Sequence, residues 1–145
     1  MDLTSTAPRS AKDKMLGLVS LKRAIDKARA YNEGKLGEYD YDCPHDKPLF
    51  DFLGTDGDTF AARVKELGTD HAIGAWVQRE FLPKKTPADI ERFNEDRMRW
   101  HPDPGSRSEE YFKNMQRQLG RPDAVTWFDI LDLDEKRQVP QPTKL

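Results

Sequence analysis

A single cysteine, Cys43, stands among the 145 residues. It leaves no intramolecular disulfide and no all-cysteine zinc cage to build. No apolar run approaches the roughly 20 residues of a membrane span, and no charged-then-apolar leader is recognisable. With the unpaired thiol, these absences point to a soluble protein of the reducing cytosol, with no membrane partner. Basic charge is not in surplus either: 24 Lys and Arg face 26 Asp and Glu, a net charge of -2. That gives no reason to expect a nucleic acid partner. Strand-like alternation is confined to Glu38-Tyr39-Asp40-Tyr41-Asp42, too short for an independent sheet. Also missing are a His-Glu-x-x-His helix, a Cys-x-x-Cys pair, a Gly-x-x-x-x-Gly-Lys phosphate cradle, a Gly-x-Ser-x-Gly elbow and a dinucleotide fingerprint. Asp56-Gly57-Asp58 lacks the upstream acids of a calcium loop.

What remains is helical grammar from end to end. The first long helix is predicted over residues 20–33, with Leu21, Ala24, Ile25 and Ala28 on one face and Gly34 as its stop. Residues 11–19, containing Gly17, form a separate turn. Asp46 is placed to cap a short helix that opens near Pro48 and closes at Gly54. Further helices run over 58–67, with Phe60, Val64 and Leu67 inward, and from a Thr69 cap through Ile73, Trp76, Val77 and Phe81. Thr86-Pro87-Ala88-Asp89 opens the next, bearing Ile90, Phe93, Arg97 and Trp100. Ser106 or Ser108 starts one with Tyr111, Phe112, Met115 and Leu119 inward and Gly120 at its end. Thr126 or Asp123 opens the last, through Trp127, Phe128, Leu131 and Leu133. The expectation is an all-α, compact single-domain bundle of about six to seven helices with one short extended loop segment. It spans residues 1–138, with 1–10 as an extended arm and 139–145 as a flexible tail. Its length suffices for one core without staples.

Charge is unevenly spread. From residue 9 to 29 there are seven Lys and Arg against two Asp, a net of +5; from 38 to 58 there are seven Asp and Glu against one Lys, a net of -6. Mutual neutralisation is the simpler arrangement, and an open basic strip receiving an anionic ligand is the other.

The chemically loaded stretch is 37–46, Gly-Glu-Tyr-Asp-Tyr-Asp-Cys-Pro-His-Asp. A loop that only joins helices does not need a thiol, an imidazole and two phenols. Neighbouring cations favour the reactive thiolate of a cysteine and carboxylates oppose it. Asp40, Asp42 and Asp46 stand on one side of that balance, His45 and the following helix start on the other. The plainer reading of Cys43 is a small buried hydrophobe. His45, Asp46 and Cys43 are suitable metal donors, but their spacing matches no strong signature. Tyr39 and Tyr41 lie on one side of any extended segment and either line a pocket or pack on the first helix. On that helix Asp26 is flanked by Lys22, Arg23 and Arg29 at pairing distance. The plainer reading there is a surface ion-pair ladder, the sharper one a grip on an anionic ligand by Arg23 and Arg29.

These residues also carry a family resemblance. Asp2-Leu3-Thr4, Pro8-Arg9-Ser10, Leu16-Gly17, Ile25-Asp26-Lys27-Ala28-Arg29-Ala30, Gly37-Glu38-Tyr39, Tyr41, Cys43-Pro44, Asp46 and Phe52-Leu53-Gly54 resemble the bacterial family catalogued as domain of unknown function 5069. Trp76-Val77 and Trp127-Phe128-Asp129 match more loosely. The likeness covers most of the chain and is most specific in its first third. It implies a small bacterial protein and no particular reaction, cofactor or metal. Lys22 departs from the proline of similar sequences, and His45 falls where they vary, which weakens a metal site built on it.

The expected site is therefore a pocket between the 37–46 loop and the first helix. Glu38, Tyr39, Tyr41, Cys43 and Asp46 would face Arg23, Asp26 and Arg29 there, around a small polar or anionic molecule that is bound and potentially acted on. The alternative is a homodimeric interaction module that uses its aromatic helices as the interface. A metalloprotein is the third reading.

Overall fold

The computed structural model describes residues 1–141 and is all-α. Among the described residues there are seven α-helices: α1 (Leu21–Glu33), α2 (Lys47–Leu53), α3 (Gly57–Leu67), α4 (Asp70–Glu80), α5 (Pro87–Met98), α6 (Arg107–Leu119) and α7 (Trp127–Asp134). A 3-10 turn, Leu82–Lys84, follows α4. Caps behave as their chemistry requires: Asp56, Thr69, Ser106 and Thr126 each accept a backbone N–H from the first turn of the helix they precede. Thr86 and Asp89 satisfy one another's N–H groups reciprocally at the start of α5. No strand forms among the described residues. Met15 and Leu18 make an isolated bridge across the turn at Leu16 and Gly17.

The chain forms two compact units, residues 1–94 and 95–145. In the first, α1 packs chiefly on α3. Leu21, Ile25 and Ala28 are buried, as are Phe50, Phe60, Val64, Ile73 and Val77. An aromatic row runs through this unit from Tyr31 to Tyr41, Phe50, Phe60, Trp76 and Phe81, with successive ring centroids 4.8, 5.9, 5.0, 6.0 and 5.1 Å apart. Such offset and tilted pairs add to the stabilisation from burial alone. The arm, residues 1–10, is tied down: Leu3 is buried and donates its N–H to the Lys35 carbonyl.

The second unit is built around Phe112, Ala124, Trp127 and Ile130, with Trp100, Met115, Leu119 and Leu133 against them. Trp127 stands edge-on to Phe112 at 4.9 Å and donates its backbone N–H to the Trp100 carbonyl. Tyr111, expected inward on α6, is 59% exposed and only lays its ring beside Trp127. Phe112 takes the interior place, one residue on. Val139, where the tail was expected to begin, is buried, and its carbonyl accepts from Arg121. Residues 142–145 of that tail lie outside the described residues.

Candidate functional site

Helix α1 is buried nearly all round, charged residues included. Arg23, Asp26 and Lys27 are all sealed from solvent. A charge without water needs a partner within hydrogen-bond reach, and the shortest of these contacts come from segments distant in sequence.

Asp26, 1% exposed, is therefore a buried hub and not a rung of a surface ladder. Its carboxylate accepts from the Arg9 backbone N–H at 2.9 Å, from Arg9 Nε at 3.0 Å and Nη2 at 3.0 Å, and from Arg29 Nη1 at 3.5 Å. Arg9 continues to Asp70, at the start of α4, through Nη1 at 2.8 Å, and Arg29 reaches the same carboxylate at 3.0 Å. Arg29 also donates to the Gly68 carbonyl at 3.0 Å. Partial burial opposes the Arg9 charge, but its hydrogen bonds to Asp70 and Asp26 outweigh this and raise its pKa above the ordinary arginine value. Arg9's hydrogen bond in turn holds the Asp70 carboxyl below the usual range. Of the three cations expected around Asp26, Arg29 pairs with it directly. Lys22 offers its carbonyl to Arg9, and Arg23 donates to the Arg9 carbonyl while lying 5.7 Å from the Tyr39 ring centroid.

One turn along α1, Lys27 meets the loop. Its Nζ donates to Asp46 Oδ2 at 2.8 Å and lies 3.5 Å from Cys43 Sγ. Lys27 and Asp46 are both buried. The Cys43 thiol donates to the same carboxylate at 3.6 Å. Asp46 occupies the N-cap position of α2, but its side chain makes no capping bond. The expected cap is thus corrected: the carboxylate turns inward to the buried ammonium, a stronger demand than an exposed helix N–H. Cys43 is half-buried and not the sealed hydrophobe of its plainer reading.

Tyr41 stacks on Tyr31 and donates its hydroxyl to the Gly57 carbonyl at 2.7 Å. Burial, then the charges of Asp46, Asp42 and Asp58, push its phenol well above the ordinary value, so it remains a neutral donor. The loop approaches α3 closely at this point. A Cβ on Gly57 would lie 2.5 Å from Asp42 Cγ, so a larger residue would push the Asp42 side chain aside. Asp42 itself sits in the left-handed region at φ 57, which breaks the expected alternation. Glu38 is exposed and makes no hydrogen bond or ion pair among the described residues.

Of the eight residues expected to converge, the structure brings Cys43 and Asp46 together with α1, and Tyr39 beneath Arg23. It sends Tyr41 to α3 and leaves Glu38 in solvent. The loop does fold onto the first helix, and it closes there by direct contact. Arg9 and Lys27 are the residues the sequence reading missed. Arg9 stands 17 positions from Asp26 with no local spacing to link them. Lys27 reads as an ordinary solvated lysine on a helix. Their one signal was membership of the basic block, and Lys27–Asp46 joins that block to the acidic one.

Two described cavities bear on function. One, of about 310 Å³, is lined by Arg29, Asn32 and Glu33 of α1, Val64 and Lys65 of α3, and Gly68. The other lies wholly in the second unit. Among the described residues no group of three or more His, Cys, Asp or Glu could hold a metal ion, and no helix is long and apolar enough to cross a membrane. No curated protein matches the chain. The chain belongs to the family described as domain of unknown function (DUF5069), whose model matches residues 5–137.

Proposed function

We propose that this DUF5069 member binds a small polar anion beside Arg29, in the cavity between α1 and α3. One observation carries the reading: Arg29 lines that cavity while its guanidinium is fixed by Asp26, Asp70 and the Gly68 carbonyl. A cation held this way loses little freedom when a ligand arrives, which is the usual source of affinity in a small polar site. Lys65, exposed and without an ion-pair partner among the described residues, supplies the second positive charge. Asn32, also in the lining, donates its amide N–H to the Ala61 carbonyl and so is held in place. Against these stands one acid, Glu33. The balance suits a monoanion with hydroxyl or amide groups.

The Lys27–Asp46–Cys43 cluster serves this reading as a clamp: it fixes the loop on α1, two residues from Arg29. A bacterial, cytoplasmic setting belongs to the same reading, in keeping with one unpaired thiol. The homodimer alternative draws on Tyr111, an exposed aromatic on α6.

Native mass spectrometry of freshly purified protein, followed by amide-resolved NMR titration with the hydroxylated monoanions lactate, glycolate and 3-hydroxybutyrate, tests it. The expected result is a monomer with saturable shifts at Arg29, Asn32, Lys65 and Gly68, weakened by Lys65→Glu. If none of these amides moves with any of the three, the proposal fails. A dimer whose interface includes Tyr111 would favour the alternative.

A further inference from the structure

We infer that the second unit carries a binding site of its own, for a small amphipathic carboxylate. The inference is independent of the Arg29 reading, since every residue it uses lies beyond position 94. Its cavity measures about 490 Å³, within the range of small-molecule sites.

The lining divides by chemistry. Phe112 is the floor, and Met98 and Val125 are the apolar walls. Met98 at 39% and Val125 at 59% exposure are two of the large hydrophobics this chain leaves open to solvent. They meet at the same cavity although 27 positions apart, because α5 ends at Met98 and Val125 immediately precedes the Thr126 cap of α7.

The polar lining includes two cations, Arg99 and Lys113, and one acid, Glu109. Arg99 is exposed and has no ion-pair partner among the described residues. Lys113 reaches Glu109 at 3.6 Å, one turn back on α6. Glu109 also accepts the Gly105 N–H, so the one acid in the lining is already engaged. His101 sets its Nδ1 3.0 Å from the Pro102 carbonyl. Because a carbonyl can only accept, that nitrogen carries the proton.

An apolar floor with a free guanidinium at its edge fits a molecule with an aromatic or branched aliphatic body and one carboxylate. The body displaces water from Phe112, Met98 and Val125, while Arg99 offers two parallel N–H donors to the anion. A phosphorylated or multiply charged ligand would leave the apolar floor unused. A neutral apolar ligand would leave Arg99 unused.

The experiment is an amide-resolved NMR titration of the full chain with phenylacetate, indole-3-acetate and 4-methylpentanoate, each beside its uncharged primary amide. Saturable shifts are expected at Arg99, His101, Lys113, Gln116 and Val125, with the acids binding more tightly than their amides. Arg99→Gln should weaken the acids about two- to fivefold, as loss of an exposed charge pair does, and leave the amides unchanged. Val125→Asp, at an exposed position that should not disturb folding, should abolish binding of both series. Three outcomes would each overturn the inference: no shift at millimolar probe, equal affinity for acids and amides, or the same shifts produced by raising protein concentration alone. The last would assign the cavity to a second copy of the chain.

Discussion

Replacing Lys27 with methionine removes one ammonium from a helix and should cost far more than a lost surface charge. Lys27 is 3% and Asp46 4% exposed, so neither has water to fall back on. Without the ammonium, Asp46 keeps only the Cys43 N–H at 3.4 Å and its thiol at 3.6 Å, contacts too long to offset a buried negative charge. Breaking a buried pair in this way costs about 3–5 kcal/mol. For a chain of this size, at about 2–4 °C per kcal/mol, Tm should fall by roughly 6–20 °C. Urea unfolding followed by both circular dichroism and tryptophan fluorescence would measure the change and show whether the two units unfold together. The double variant Lys27→Met with Asp46→Leu is the control. Removing both charges removes the uncompensated one, so most of the lost stability should return. A single-variant cost of about 1 kcal/mol or less, typical of exposed pairs, would refute the reasoning. So would a double variant no more stable than the single.

Further expectations follow from other contacts of the same fold. Tyr41→Phe should cost about 1 kcal/mol at neutral pH through the lost bond to the Gly57 carbonyl. Because the folded Tyr41 pKa is raised above 10.0, its contribution is complete below that pH and is lost as pH climbs toward the folded value. The phenylalanine variant should therefore show a flatter alkaline limb in a pH series of urea midpoints. Asp70 has the opposite sign: its depressed pKa adds stability above 3.8 that disappears as pH falls through the folded value, so Asp70→Asn should flatten the acid limb of the same series. Gly57→Ala drives a methyl into Asp42 and should destabilise by about 1–3 kcal/mol, with faster amide exchange along residues 37–46. Arg97 is nine-tenths buried, and its Nε and Nη2 have no hydrogen-bond partner among the described residues. Its guanidinium sits over the Trp100 ring at 4.2 Å. Arg97→Met should be neutral or stabilising by up to about 2 kcal/mol; a clear loss of stability in thermal melts would mean that an anion pairs with it in solution.

Helix placement was legible because its determinants are local. Thr69, Thr86, Ser106 and Thr126 cap where their position before an apolar pattern says they should, and Gly34, Gly54 and Gly120 close helices in the left-handed conformation. The all-α class follows from the same signals. Side-chain roles were legible only where a single plausible environment existed. Asp46 could cap α2 or pair with a buried cation, and the second use depends on Lys27, 19 positions upstream. Tyr111 and Phe112 are adjacent aromatics on α6, and only the packing around Trp127 decides which of them turns inward. Asp26 looked like a surface rung because i to i+3 and i+4 neighbours are visible in a sequence, whereas the arm that covers it is not. The division at residue 94 falls within α5, where no glycine, proline or polar linker marks it.

The charges on α1 each tie the helix to another segment, which raises the question whether they set position as well as stability. Asp26 receives the arm through Arg9 and, through its partners, α4 through Asp70; Lys27 receives the loop through Asp46. Each contact joins α1 to a different part of the chain, and each pair is satisfied by only one geometry. Apolar residues at these positions could bury comparable area, but they would accept many docking registers with little difference in energy. The double variant at Lys27 and Asp46 separates the two uses. If stability returns while amides 37–46 exchange faster than in the natural chain, the buried pair determines where the loop sits more than how firmly the protein holds together. If both return, packing alone positions the loop and the charges are replaceable.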